Sequence, residues 1–137
     1  MGSDIHPEDT PGNHNKFGKK ILVVDDRYEN RYFLKTLLSA HGYQVVTAKN
    51  GKEALDLIKS EHFDAILTDI LMPVMDGHVL CKTMKEDPEL AKIPFIFNTA
   101  SYTEPRHRQH GLSLGADEYI CKPIESEELL RIIERFV

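Results

Sequence analysis

Short apolar runs alternate with amphipathic stripes five times along this chain, and that alternation constrains the fold more than any other feature. Ile21–Val24 is a continuous apolar run, as a strand buried on both faces requires. Phe33, Leu34, Leu37 and Leu38 then recur at helical spacing, and Gly42 closes that helix. "YQVVTA" predicts a second strand, followed by a helix over Gly51–Ser60 with Ala54, Leu55 and Ile58 on one face. "AILT" (Ala65–Thr68) predicts a third, and the helix after Asp76-Gly77 turns Val79, Leu80 and Met84 inward. "PFIFN" is the fourth strand, and Arg106 to Leu114 makes a weak, polar helix interrupted by Gly111. "EYIC" is the fifth, with Leu129, Ile132, Ile133 and Phe136 as the stripe of a last helix.

Strands that are each followed by a helix give an α/β parallel sheet covered on both faces, with right-handed crossovers. At 137 residues the chain is expected to be one domain. Residues 1–18, "MGSDIHPEDTPGNHNKFG", are polar and aperiodic, and read as a tail, a linker end or an expression remnant, leaving 19–137 as the folded domain. Alternation does not give strand order. In the flavodoxin-like order 2-1-3-4-5, strands one and three are neighbours at the topological switch point, where ligands bind beyond the carboxyl ends.

The polar residues that stand out then fall on one edge of the sheet. Asp25 and Asp26 end the first strand, Asp69 ends the third in "ILTDILMP", Thr99 ends the fourth in "FNTAS", and Lys122 follows the fifth in "YICKP". Adjacent carboxylates at the end of a buried run repel each other, and an unpaired buried charge is expensive. Three carboxylates in a small volume need a counter-charge. Lys122 supplies one, and a hard divalent cation supplies the rest: Mg²⁺ takes one or two carboxylates, waters and a phosphate oxygen. Such a site suits phosphoryl transfer, in which positioning and charge neutralisation do most of the catalysis, and a carboxylate is a competent covalent acceptor.

"VVDD", "DILMPVMDG", "NTA" and "CKP", in this order and at these separations, resemble the receiver domain of two-component response regulators, over about residues 19 to 137. The resemblance implies that Asp69 is the phosphoacceptor and takes its phosphoryl group from a phosphohistidine on a sensor histidine kinase or histidine phosphotransfer protein. It implies Mg²⁺, or Mn²⁺ in its place, held directly by Asp26, Asp69 and the backbone carbonyl of Leu71, and through water by Asp25. Lys122, Thr99 and the backbone of Ala100 would contact the phosphoryl group. Thr99 and Tyr119 would be the switch pair, the tyrosine swinging inward when the threonine moves. Gly77 matches the glycine after the acceptor, and the Lys122–Pro123 bond is expected to be cis. The face of the fourth helix, fifth strand and fifth helix would be the output surface and the contact of a homodimer. "DDRYENRYFLKTLLSAHGY" with "FNTASYTEP" is similar to receivers attached to hybrid sensor histidine kinases.

Plainer readings compete residue by residue. Asp25-Asp26 alone would be a solvated turn, Asp76 a helix cap, and Tyr119 a packing residue. Cys81 and Cys121 read as buried positions, too few and too isolated for a disulfide framework or zinc site. "RHRQH" (Arg106–His110) reads as a solvated face, and His41, His62 and His78 as surface or helix-end residues. Net charge of −5 argues against direct nucleic-acid contact. No apolar stretch approaches the ~20 residues of a membrane span and no signal-peptide core opens the chain, so a cytoplasmic location is expected.

An aspartyl-phosphate phosphatase of the haloacid-dehalogenase type would want an acid two residues after its nucleophile, where this chain has Leu71. A dinucleotide-binding domain would want a Gly-rich turn where "DDRYEN" stands. A receiver kept only for docking would have lost the acceptor, an acid or the lysine. The expected role is therefore a phosphorylation-dependent switch rather than an enzyme with a separate substrate. The chain stops at Val137 without a following output segment, so a stand-alone receiver and a piece of a longer protein both fit.

Overall fold

The computed structural model describes residues 18–137, so the expected tail lies, apart from Gly18, outside the described residues. Five parallel strands form one sheet in the order β2-β1-β3-β4-β5. They are β1 (Lys20–Val24), β2 (Gln44–Ala48), β3 (Ala65–Thr68), β4 (Phe95–Thr99) and β5 (Glu118–Cys121). The helices between and after them are α1 (Tyr28–Ala40), α2 (Gly51–Ser60), α3 (Gly77–Lys85), α4 (Pro105–Ser113) and α5 (Ser126–Glu134), with a 3₁₀ turn at Leu90–Lys92. This is the flavodoxin-like, doubly wound (βα)5 arrangement, of the parallel α/β class expected from the alternation.

The two faces of the sheet bury different partners. Leu22, Val24, Ile66, Phe95 and Phe97 face α2, α3 and α4, whose Ala54, Ile58, Leu80, Cys81 and Met84 complete that core. Ile21, Val23, Leu67, Ile96 and Ile120 face α1 and α5, through Leu34, Leu38, Leu129 and Ile133. Leu22, Leu38, Leu67 and Leu80 are among the largest fully buried side chains. Truncating any of them to alanine is worth about 2–5 kcal/mol of stability.

Local chemistry marks the helix ends. Asn50 accepts from the Glu53 amide at 2.8 Å and the Glu53 carboxylate accepts from the Lys49 amide at 2.7 Å, a reciprocal cap at the start of α2. Asp76 is the expected cap, accepting from Val79 N–H at 2.9 Å. Gly42, at φ 95°, sits in the left-handed region just beyond α1.

Several side chains lie elsewhere than the stripes predict. Phe33 is 55% exposed and Val79 48% exposed, while Leu34, Leu38, Leu80 and Met84 are buried. In each helix the pair four apart packs on the sheet, and the neighbouring apolar residue is carried round to the flank. Ile132 and Phe136 are likewise only partly buried. Cys81 is buried, but Cys121 is half-buried. Gly111 does not interrupt α4: it is buried where a Cβ would lie 2.6 Å from the Tyr119 ring. The glycine is what lets this polar helix approach the sheet.

Candidate metal and phosphoryl site

Register builds the site. Val24 of β1 pairs with Thr68 of β3, so the residues that follow, Asp25 and Asp69, leave the sheet side by side. Thr99 pairs with Cys121, which places Lys122 one residue beyond the same edge. Carboxylate oxygens of Asp25, Asp26 and Asp69 lie within 4.8 Å of one another. Lys122 Nζ stands 3.5 Å from Asp25 Oδ2, and the lysine amide donates to Thr99 O at 2.8 Å. The observed ion pair is thus with Asp25 and not with the expected acceptor, Asp69.

Asp25 is 2% exposed and is held by more than the lysine. Its carboxylate accepts from Arg27 N–H at 2.9 Å and Asn30 Nδ2 at 3.1 Å. Arg31 Nη1 donates to its carbonyl at 2.9 Å. These donors come from the start of α1, where a carboxylate also meets the positive end of the helix dipole. Asn30 and Arg31 are site residues that the sequence reading missed. Their polar spacing five and six residues after Asp25 was the available signal.

Asp69 is half-buried, and its Oδ1 accepts from Ile70 N–H at 2.7 Å. Burial holds its carboxyl above the ordinary aspartate range and the Asp25 charge adds to that. The Ile70 amide, the Lys122 ammonium and the Thr99 hydroxyl pull the other way. Asp26 is exposed at the mouth. Leu71 is 47% exposed, and its hydrocarbon side chain has no ligand atom, so only its backbone carbonyl could serve the site. Gly77 is buried against the acceptor loop: its amide donates to Ile70 O at 2.8 Å, and a Cβ would collide with the Asp69 carbonyl oxygen. In the same loop Val74 takes φ 71°, a strained conformation for a β-branched residue. Thr99 is buried, its Oγ1 accepting from Ser101 N–H at 3.2 Å, and Ala100 beside it is exposed. The Lys122–Pro123 bond is cis.

Tyr119 already lies inward. It is buried, its hydroxyl donates to Tyr102 O at 2.6 Å, and burial pushes its pKa up to about 12. Phe97 meets its ring edge-on at 5.7 Å. Arg108 ties α4 to β5 by donating to Tyr119 O at 2.6 Å and Glu118 Oε1 at 3.1 Å, so "RHRQH" is more than a solvated face. His78 is a helix-end residue, as expected, at the start of α3, but it is half-buried, with its ring centroid 5.0 Å from His110 and 5.7 Å from Phe97.

The switch-point edge of this open parallel sheet gathers three carboxylates and an ammonium, the arrangement at which ligands of doubly wound α/β proteins bind. Residues 21–134 match the family model of the response regulator receiver domain, and the chain belongs to that family. It is 43% identical over 111 residues to a probable transcriptional regulator, ycf27, of Cyanophora paradoxa, covering 81% of this chain and 45% of that protein. The chain therefore spans less than half the length of this curated relative. The fold matches the signal receiver domain of a signal transduction histidine kinase from Syntrophus aciditrophicus. The two share 36% identity, with a TM-score of 0.80 over 87% of this chain and 89% of that one. It also matches the receiver domain of a sensor histidine kinase from Pseudomonas aeruginosa PAO1. That structure is described as having a magnesium ion coordinated in its active-site cleft (30% identity, TM-score 0.79, 87% and 97% covered).

Proposed function

We propose that this domain is a phosphorylation-dependent signalling switch. It accepts a phosphoryl group on Asp69 from a phosphohistidine on a sensor histidine kinase or a histidine phosphotransfer protein. The observation that carries this reading is the convergence of the Asp25, Asp26 and Asp69 oxygens within 4.8 Å, with Lys122 3.5 Å from Asp25. The donor set is all hard oxygen, which fits Mg²⁺, or Mn²⁺ in its place. Asp26, Asp69 and the Leu71 carbonyl would hold the ion directly and Asp25 through water. Its charge would neutralise the transferring oxygens; the similar Pseudomonas aeruginosa receiver domain is described as having a magnesium ion coordinated in its active-site cleft.

The chain's own groups do the rest. An Asp69 oxygen attacks phosphorus as the P–N bond to the donor imidazole breaks, and the imidazole leaves with that electron pair. Lys122 and the hydroxyl of Thr99 neutralise the new phosphoryl oxygens, with the Ala100 amide as a further donor. Drawing Thr99 toward the phosphoryl group takes its hydroxyl from the Ser101 amide. That loosens the segment that carries Tyr102, whose carbonyl Tyr119 holds. The helix answering to that change is α4, and the face of α4, β5 and α5 is the output surface, for an attached or separate partner or a second copy. The domain works in the cytoplasm and turns over no separate substrate. Among the described residues no helix is long and apolar enough to cross a membrane.

Incubation with acetyl phosphate and Mg²⁺, followed by intact-mass measurement, tests this. A gain of one phosphoryl group, absent in Asp69→Asn, is expected. Unchanged mass overturns the reading, and rapid release of many equivalents of phosphate favours a phosphatase.

A further inference from the structure

The Asp25 carboxylate is shared between two unlike donors. Its Oδ2 accepts from Asn30 Nδ2 at 3.1 Å, while the Lys122 ammonium stands further from the same oxygen, at 3.5 Å. A charge-assisted bond from an ammonium closes to about 2.7–2.9 Å when it is fully made. Here the neutral amide makes the hydrogen bond and the lysine contributes its charge from a distance. Oδ1 is occupied separately, by the Arg27 amide at 2.9 Å, and Arg31 Nη1 holds the Asp25 carbonyl at 2.9 Å. These three donors come from the start of α1 and the residue before it, whereas the lysine follows β5. The hold of α1 on Asp25 therefore does not depend on where the lysine points.

Burial makes that independence matter. The Asp25 side chain is 3% exposed and that of Lys122 22%, so the ammonium has water to move through and the carboxylate has almost none. A buried carboxylate that loses its partner outright is strongly disfavoured. Loading of Asp69 nevertheless draws Lys122 from Asp25 toward the new phosphoryl oxygens. We propose that Asn30 is a positioning residue for that step: it keeps Asp25 Oδ2 hydrogen-bonded while Lys122 leaves, and so makes the lysine transferable. Resting on the phosphoryl acceptance proposed above, this role concerns how fast the acceptor is loaded. Without the amide, the ammonium closes on Oδ2 and is held there.

Acetyl phosphate and Mg²⁺ added to the full chain, with intact mass followed against time, give the rate of loading. Asn30→Leu and Asn30→Ala each remove the donor, one keeping the bulk and one the helix propensity. Their maximal rate should fall roughly tenfold, about the worth of one hydrogen bond to a charged group. The Mg²⁺ and acetyl phosphate concentrations at half-maximal rate should stay at their wild-type values, because the bond is needed only as the lysine departs. Asn30→Gln, which keeps an amide one methylene further out, should recover most of the rate. By NMR the Lys122 Cε methylene should be less mobile in Asn30→Leu than in the wild type, a change that a merely structural role would not produce. The proposal is overturned if the donor-less variants load at the wild-type rate, if added Mg²⁺ restores their rate, or if Lys122 keeps its mobility. A wild-type chain that gains no phosphoryl group is a different result, and overturns the acceptance reading itself.

Discussion

Burial and the neighbouring Asp25 hold the Asp69 carboxyl above the ordinary aspartate range, so the ionised side chain costs folding stability at neutral pH. Because the folded value is raised, the contribution is fully present below 3.8 and is lost as pH rises through the folded value. Asp69→Asn should therefore raise the urea midpoint at pH 7, and that advantage should vanish below pH 3.8. Gly77→Ala should cost about 1–3 kcal/mol by the same measurement, since the new methyl meets the Asp69 carbonyl. Val74→Asn should gain about 1 kcal/mol, because asparagine tolerates the left-handed conformation that Val74 is forced into. The chemistry-bearing acids, Thr99 and Lys122 could be found in the sequence because each directly follows a recognisable apolar run. Asn30 and Arg31 could not be placed in the same way. What they do depends on which way a first helical turn points, and only the assembled sheet decides that.

Among the elements, α4 departs most from its sequence pattern. Propensity alone predicts that Gly111→Ala stabilises an exposed helix interior by about 1 kcal/mol. Here the added methyl would meet the Tyr119 ring at 2.6 Å and Phe97 at 3.2 Å, so the substitution should destabilise and should shift the tyrosine near-UV signal. The seam of α4 with α3 carries a pH dependence. Burial lowers the pKa of His78 below 6.5, and His110 and His107 on α4 lower it further, against Asp76 on its own helix. With the folded value depressed, stability is complete above 6.5 and is lost as pH falls from there through the folded value. Amide shifts over residues 105–113 should titrate in that window, and should do so less in His78→Gln. Strands β3 and β5 were legible to the residue because apolar runs bounded by polar ones have sharp edges. The flanks of α1 and α3 were not, since a hydrophobic residue beside a stripe reads the same whether it is buried or carried round to solvent.

At the scale of the molecule, the acidic site exists only when β1, β3, β4 and β5 are all in register. Metal binding should therefore stabilise the whole domain. Mg²⁺ at a hundred times its Kd should add about 2.7 kcal/mol, read as a rise in Tm that Asp26→Asn removes. Alternation in the sequence was enough for the class of sheet. Which helices share a face was not legible, because it follows from the direction in which each crossover leaves β1.

The groups with chemistry to perform stand at the carboxyl ends of the strands or on the turns that leave them, while the chain returns to the sheet through residues 41–43, 61–64, 86–94 and 114–117 on the opposite rim. The domain thus has one rim under chemical constraint and one that answers for chain reversal and, through Asp64 and Asp117, for holding the amides that start β1 and β4. Where those two carboxylates are kept, loops at that second rim should accept added length, charge or probes without altering the reactive rim.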